Sequence, residues 1–152
     1  MKKLMTLLTI TTIIFTSCVQ EEFDKKVTFL VDTNGLENIK SIGIRGNFLP
    51  NQWRESYPLT DENKDGIYEA TFNEKTAVYG INFKFVKNGN DYELKGSDNR
   101  EIVFEYKAET IIYKTTFNKE HSEITRKKNN HEKNNHHSII DYYIYKCSNK
   151  RQ

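Results

Sequence analysis

One stretch, residues 81–100, constrains the fold of this chain more than any other. Apolar and polar side chains alternate through its first half, so an extended backbone turns the phenylalanines to one face and Lys84 to the other. Asn88 and Gly89 follow, and both tolerate the positive φ angles of a tight hairpin turn. The stretch therefore predicts two antiparallel strands that hold aromatic side chains in a core.

Similar short alternating segments recur along the chain, with turn-forming residues between them and no helical periodicity of useful length. They lie at residues 27–31, 41–46, 67–73, 101–106 and 110–117. The chain has 152 residues, which suits one domain, and its nine phenylalanines and nine tyrosines are ample for a small β core. We therefore predict an all-β fold over residues 27–117, a small antiparallel immunoglobulin-like β-sandwich of about seven strands.

The first residues have the pattern of a bacterial lipoprotein leader. Lys2 and Lys3 precede an apolar run at residues 4–16, which is too short to span a bilayer comfortably. The next residues complete the tetrapeptide Phe-Thr-Ser-Cys, which resembles a lipobox and implies cleavage before Cys18 and lipid attachment to it. The alternative is an ordinary secretory signal with an incidental cysteine.

The leader also predicts where the protein is located. We expect a signal peptide at residues 1–17, lipidation at Cys18 and a charged tether over residues 18–26. Acyl chains on the cysteine would anchor the domain to a membrane. No aspartate follows Cys18 directly, so the usual signal that retains a lipoprotein in the inner membrane is missing. We therefore expect the protein in the bacterial cell envelope, anchored to the outer membrane.

The composition changes at residue 118. Lysine, asparagine and histidine crowd together at residues 127–137 without apolar periodicity, which predicts a disordered, low-complexity tail over residues 118–152. One hypothesis for this tail is a truncated gene, in which a larger protein once continued after Phe117. Cys147 lies in the tail and is expected to be a free thiol.

Two patterns approach metal sites without completing them. The turn at residues 61–66 imitates the start of a calcium loop, but Phe72 occupies the position of the last ligand. His131 and His136 are five residues apart, one more than the zinc-protease pattern requires on a helix. We therefore expect no metal and no cofactor.

The sequence lacks the signatures of common enzymes and of nucleic-acid binding. It contains no nucleophile elbow and no phosphate-binding glycine loop, and a small open sandwich has little room for a deep catalytic cleft. The net charge of +2 is close to balanced, whereas nucleic-acid binders are usually more basic. We predict a protein that is not an enzyme and has no nucleic-acid partner.

A group of aromatic and polar residues forms a candidate binding surface. Lys84, Tyr92 and Asn99 lie on or beside the outside of the predicted hairpin, and Trp53 lies in a loop between two prolines. Aromatic rings can cover the apolar face of a sugar ring, while lysine and asparagine can hydrogen-bond its hydroxyl groups. The alternative is structural, with Trp53 packed on an edge of the sandwich and Lys84 on a solvated strand face.

Five motifs in a fixed order resemble the starch-binding domains of carbohydrate-binding module family 20 and, more loosely, the related glycogen-binding modules. The resemblance extends over about residues 27–117, and its motifs are Ile44-Arg-Gly-Asn-Phe48 with Trp53, Asp65-Gly-Ile-Tyr-Glu69, Phe83-Lys-Phe-Val86, Tyr92-Glu93 and Asn99-Arg100. The resemblance implies one sugar site formed by Trp53, Lys84, Tyr92 and Asn99, with Glu93 as a further contact. The family usually has tryptophan where Tyr92 stands, so we expect a weakened site.

The resemblance also implies a function. We predict non-catalytic binding of α-1,4-glucan, as starch, glycogen or maltooligosaccharide, by a membrane-anchored lipoprotein that serves a partner glycoside hydrolase or importer. Two alternatives are a protein-interaction or structural module with a decayed sugar site, and the orphaned N-terminal module of a secreted hydrolase. The exposure and proximity of Trp53 and Tyr92 distinguish the prediction from these alternatives.

Overall fold

The structure, a computed structural model, describes residues 20–127. These residues form nine strands and contain no helix, which confirms the all-β prediction. The strands are β1 (Phe23–Asp32), β2 (Ile42–Gly46), β3 (Tyr57–Leu59), β4 (Ile67–Thr76), β5 (Gly80–Lys87), β6 (Asp91–Tyr92), β7 (Arg100–Val103), β8 (Glu109–Thr116) and β9 (Ser122–Lys127). The described part of the chain accordingly offers no helix that is long and apolar enough to cross a membrane.

The strands form two sheets whose inner faces share one core. The first sheet has the order β4-β1-β8-β9, and the second has the order β3-β2-β5, with β6 and β7 both paired to β5. Among the described strands, all pairs are antiparallel except β1 and β8, which run parallel with Val27 opposite Ile111. The predicted β-sandwich is therefore confirmed, with one parallel pair that the alternating pattern does not reveal.

The observed strands differ from the predicted ones in several places. β1 begins at Phe23, so residues 23–26 of the predicted tether belong to the sheet. β3 has three residues, which is too short for an alternating pattern to show, and the predicted return strand of the hairpin is the two-residue β6. β7 ends at Val103, because the chain then leaves the sheet in a loop, whereas alternation predicted a strand to residue 106.

The sandwich also continues past its predicted end at residue 117. β9 pairs with β8 from Ser122 to Lys127, inside the segment predicted as a low-complexity tail. It is an edge strand with mostly exposed side chains, so it lacks the buried alternate positions that mark the other strands. The rest of that tail lies outside the described residues, and so do the predicted signal peptide and Cys18.

Aromatic side chains from both sheets meet in the core. Phe29 of β1 is fully buried, and its ring centre lies 4.9 Å from that of Phe83 and 6.0 Å from that of Phe85. The ring of Tyr113 in β8 lies 5.1 Å from that of Phe83. The inward positions of Phe83 and Phe85 confirm the predicted alternation in β5, and each buried ring contributes about 1.5–3 kcal/mol.

A buried ion pair fixes the loop between β7 and β8. Lys25 is on the inner face of β1, and its Nζ lies 2.9 Å from Oε2 of Glu109. The same ammonium group donates to the backbone oxygens of Glu105 and Lys107, so each of its three N–H groups has an acceptor. This buried cation is thus neutralised by a carboxylate and fully hydrogen-bonded.

Candidate functional site

The outer face of the second sheet carries most of the residues that the sequence pointed to. Arg45 in β2 is directly opposite Lys84 in β5, and Val86, two residues along β5, is opposite Tyr92 in β6. The inward side chains of β2 and β5 alternate with these, so all four side chains rise from the same outer face. This face is the floor of the candidate site.

The loop between β2 and β3 folds back over this floor. A Cβ atom at Gly43 would lie 2.9 Å from the Cβ of Ser56 and 3.0 Å from the backbone oxygen of Tyr57, so only glycine permits so close an approach. Arg45 Nε donates to Ser56 Oγ over 2.9 Å and fastens the loop to β2. Trp53 lies in this loop and is thereby placed above the sheet.

Arg45 connects the loop to the hairpin turn and to β6. Its Nη1 donates to the phenol oxygen of Tyr92 over 2.8 Å and to the backbone oxygen of Trp53 over 3.3 Å. Its Nη2 donates to the backbone oxygen of Gly89 over 2.7 Å. The guanidinium carbon lies 5.3 Å from the centre of the Tyr92 ring, within the range of a cation–π interaction. One side chain therefore fixes three separate segments around the site.

Trp53 and Tyr92 lie close together at this site. The phenol oxygen of Tyr92 is 3.5 Å from the backbone oxygen of Trp53, and both residues are partly exposed. Neither residue belongs to the buried core of the sandwich. The contact joins the backbone of Trp53 to the hydroxyl group of Tyr92, and sugar binding by the two residues stays a prediction. We call Trp53, Tyr92 and the underlying Arg45 the aromatic platform.

Lys84 points outward as predicted, but it is covered. It is 8% exposed, because the loop at residues 94–97 lies over it. Its Nζ donates to the backbone oxygens of Leu94 and Ser97, each over 2.9 Å. Lys84 therefore holds the loop that leads to Asn99, and one N–H of its ammonium group has no acceptor among the described residues.

Glu93 cannot contact a sugar, and its predicted role as a further contact is wrong. Its side chain is completely buried. Oε1 accepts hydrogen bonds from the backbone N–H of Phe85 over 2.9 Å and from Nε of Arg100 over 2.7 Å. Oε2 accepts from Nη2 of Arg100 over 2.8 Å and from the backbone N–H of Asn118 over 3.4 Å. The carboxylate has a structural role, because both of its oxygens accept hydrogen bonds from other residues of the domain.

Arg100 is the partner that explains the burial of Glu93. Besides its two bonds to Glu93, the guanidinium donates to the phenol oxygen of Tyr113 over 3.1 Å and to the backbone oxygens of Lys119 and Glu120. Burial disfavours its charge, but the hydrogen bonds and the charge of Glu93 outweigh that effect and raise the pKa of Arg100. The pair joins β5, β7 and the turn before β9.

Asn99 is exposed and lies apart from the aromatic platform. It lines a shallow polar groove between the loop at residues 94–99 and the turn before β9. Arg100 is opposite Phe83, so Asn99 is level with Lys84 and about 7 Å along β5 from the level of Tyr92. The structure thus brings the Trp53 backbone and the Tyr92 hydroxyl together and places Lys84 beneath a loop. Asn99 lies farther along β5 than Tyr92.

Arg45 is the site residue that the sequence prediction missed. Inward-facing Ile42 and Ile44 imply that Arg45 faces outward, but alternation alone does not give its neighbours. Those neighbours depend on the register of β2 against β5, which the sequence does not specify.

The turn at residues 61–66 is held by its own side chains. Asp61 accepts hydrogen bonds from the backbone N–H groups of Asp65 and Gly66, each over 3.1 Å, and Asp65 accepts one from Ile67 over 2.8 Å. Such bonds are typical of an ordinary turn rich in aspartate and asparagine. Within residues 20–127, no group of three or more His, Cys, Asp or Glu side chains is placed to hold a metal ion.

The similarity of this chain to known proteins is found among solved structures. No protein-family model matches the chain, and no curated protein matches it in sequence. Among solved structures, it is similar to two solution structures, CBM25-2 and CBM25-1 of a beta/alpha-amylase from Paenibacillus polymyxa. Each superposes with a TM-score of 0.41 and 15% sequence identity, over 70% of this chain and 96% of the other.

Proposed function

We propose that this protein binds carbohydrate without catalysis, and that its aromatic platform binds α-1,4-glucan such as starch, glycogen or maltooligosaccharide. One observation carries the proposal: Arg45 holds the backbone of Trp53 and the hydroxyl of Tyr92 side by side above the outer face of the sheet. Both aromatic residues are partly exposed there. Aromatic rings carried by two such neighbouring segments can cover the apolar faces of glucose units in an α-1,4-linked chain.

The hydroxyl of Tyr92 and the backbone of the Trp53 loop are held in place before any sugar arrives. The hydroxyl of Tyr92 accepts a hydrogen bond from Arg45, and the Trp53 loop is fastened to the sheet through Ser56. Segments that are already held lose little conformational freedom on binding, so less of the contact energy is spent on ordering the site. An oligosaccharide that extends along β5 from the platform reaches the level of Asn99, whose amide can hydrogen-bond a hydroxyl group.

The carboxylates next to Tyr92 in sequence argue for binding rather than hydrolysis. Glu93 is enclosed in its ion pair with Arg100. Asp91 is exposed, and a hydrogen bond and the charge of Lys95 lower its pKa below the ordinary value. It therefore holds no proton near neutral pH and is a poor candidate for the general acid that glycoside hydrolysis requires.

The location and partners belong to the same proposal. The lipobox-like pattern before Cys18 supports a lipid anchor in the outer membrane of a bacterial cell envelope. β1 begins at Phe23, so only a few residues separate the proposed anchor from the sandwich. A glucan held there would be presented to a partner glycoside hydrolase or to an importer.

Titration of the full chain, purified in detergent, with maltoheptaose tests the proposal. Trp53 is the only tryptophan, so its fluorescence reports the site directly, and calorimetry measures the affinity independently. We expect weak binding that Trp53→Ala abolishes and that Tyr79→Ala, which removes an exposed aromatic ring beyond the other end of β5, leaves unchanged. No binding by the wild type at millimolar sugar, or unchanged binding by Trp53→Ala, would overturn it.

A further inference from the structure

The outer face beneath the aromatic platform carries two positive charges that form no ion pair within residues 20–127. Arg45 and Lys84 are directly opposite each other in the antiparallel pairing of β2 and β5. Like charges in such positions repel each other and destabilise a sheet. Among the described residues, neither side chain forms a salt bridge, and both donate their hydrogen bonds only to uncharged oxygens.

Unlike Lys84, the other strongly buried cations among the described residues, Lys25 and Arg100, each have a carboxylate partner. Lys25 lies 2.9 Å from a carboxylate oxygen of Glu109, and Arg100 lies 2.7 Å from one of Glu93. A charge removed from water normally needs such a partner, because burial without one is costly. Lys84 is as shielded from solvent as these residues, at 8% exposed, yet it has carbonyl partners alone.

The acidic residues next to Tyr92 do not supply the missing charge. Asp91 forms ion pairs with Lys95 over 2.8 Å and with Lys87 over 3.7 Å. Glu93 is held by Arg100. Neither of these two carboxylates therefore pairs with Arg45 or Lys84.

Both cations also keep an unused hydrogen-bond donor. Arg45 donates to four acceptors, which leaves one of its five N–H groups without a partner among the described residues. Lys84 donates to two acceptors and has three N–H groups. A negatively charged oxygen would satisfy the remaining N–H of Arg45, which is partly exposed, with a charge-assisted hydrogen bond, the strongest kind available here.

We infer that the glucan recognised by the aromatic platform carries a negatively charged substituent, either a phosphate monoester or a carboxylate. This inference rests on the proposed function, since the rings of Trp53 and Tyr92 supply the contact with the sugar. The substituent pairs with Arg45, which is partly exposed, and its negative charge offsets the repulsion between Arg45 and the covered Lys84. Phosphate and carboxylate share the chemistry that the guanidinium group recognises.

The test compares three oligosaccharides of equal length with the full chain. They are neutral maltoheptaose, maltoheptaose bearing one phosphate monoester, and an analogue with one uronic carboxylate. We expect at least one charged oligosaccharide to bind about tenfold more tightly than the neutral one at low salt. The advantage shrinks as ionic strength rises, because salt screens the attraction. The arm that gains affinity identifies the anionic group, and a gain in both arms shows that either group satisfies the site.

Two charge-removing variants show which residue causes the tighter binding of a charged oligosaccharide. Arg45→Gln removes one charge from the platform and should abolish most of the advantage of the charged oligosaccharide. Lys114→Gln removes the same charge from an exposed position on the first sheet and should leave the advantage intact. The dependence of wild-type affinity on salt tests the same idea without any substitution.

The outcomes separate this inference from the proposed function. Equal affinity for the neutral and charged oligosaccharides at low salt overturns the inference and leaves glucan binding standing. Failure of all three to bind overturns both. Tighter binding of a charged oligosaccharide that survives Trp53→Ala also overturns the inference, because the attraction would then act without the aromatic platform.

Discussion

Arg45 Nη1 donates a 2.8 Å hydrogen bond to the phenol oxygen of Tyr92, and the guanidinium carbon lies 5.3 Å from the centre of the same ring. Arg45 therefore holds the Tyr92 ring in two ways, through a hydrogen bond to its hydroxyl group and through a cation–π contact with the ring. The same nitrogen donates to the backbone of Trp53, which arrives from a different part of the chain. A residue of the sheet thus sets the spacing of two aromatic groups, one on a strand and one on a loop.

The first prediction concerns this positioning role. Arg45→Lys keeps the charge but cannot reach four acceptors with one ammonium group. We expect Trp53 to become more mobile, with a red-shifted emission and stronger quenching by acrylamide, and the free energy of unfolding to fall by about 1–3 kcal/mol. Arg54→Lys, next to Trp53 and exposed, is the matched control and should change neither quantity. Unchanged quenching in Arg45→Lys would contradict the role.

The second prediction separates the ring of Tyr92 from its hydroxyl group. The hydroxyl is engaged by Arg45, so in the proposed function the ring makes the contact with the sugar. Tyr92→Phe should bind maltoheptaose within about threefold of the wild type, whereas Tyr92→Ala should lose about tenfold or more because it removes the apolar surface. Calorimetric titration measures both. Equal losses in the two variants would show that the hydroxyl group, and not the ring, makes the contact.

Patterns of neighbouring residues predicted the central strand of the second sheet, β5, and the turn that follows it. The alternation through β5 correctly placed Phe83 and Phe85 in the core, because burial on one face is a local property of a strand. Asn88 and Gly89 both adopt positive φ, at 52° and 83°, as their residue types indicated for a hairpin turn. These features depend on residue type and spacing alone.

The parts of the site that depend on distant contacts were not predictable in this way. The burial of Lys84 depends on the path of the loop at residues 94–97, and the burial of Glu93 depends on an ion pair with Arg100. Both are charged residues that are normally exposed unless they are paired, and no local pattern shows the pairing. β9 was missed for the opposite reason, since its exposed side chains resemble those of a tail.

The third prediction tests whether Lys84 supports the loop that leads to Asn99. Lys84→Met keeps the length of the side chain but leaves the backbone oxygens of Leu94 and Ser97 without their donor. We expect faster amide hydrogen exchange at residues 94–99 and a loss of about 1–3 kcal/mol in unfolding free energy. Lys87→Met, at a more exposed position of the same strand, should leave exchange in this loop unchanged. Unaltered exchange in Lys84→Met would show that the loop is held by other contacts.

The fourth prediction concerns the buried pair of Glu93 and Arg100. Glu93→Gln preserves the shape of the side chain but removes the negative charge that faces Arg100, whose raised pKa keeps it protonated. We expect urea unfolding to show a loss of about 3–5 kcal/mol, because a buried cation is left unpaired. Glu101→Gln, at an exposed neighbouring position, should change stability by less than about 0.5 kcal/mol. Under conditions where both variants remain folded, their affinity for maltoheptaose should equal that of the wild type, since Glu93 is not exposed to a ligand. A stable Glu93→Gln variant with impaired sugar binding would reverse this assignment and return Glu93 to the binding site.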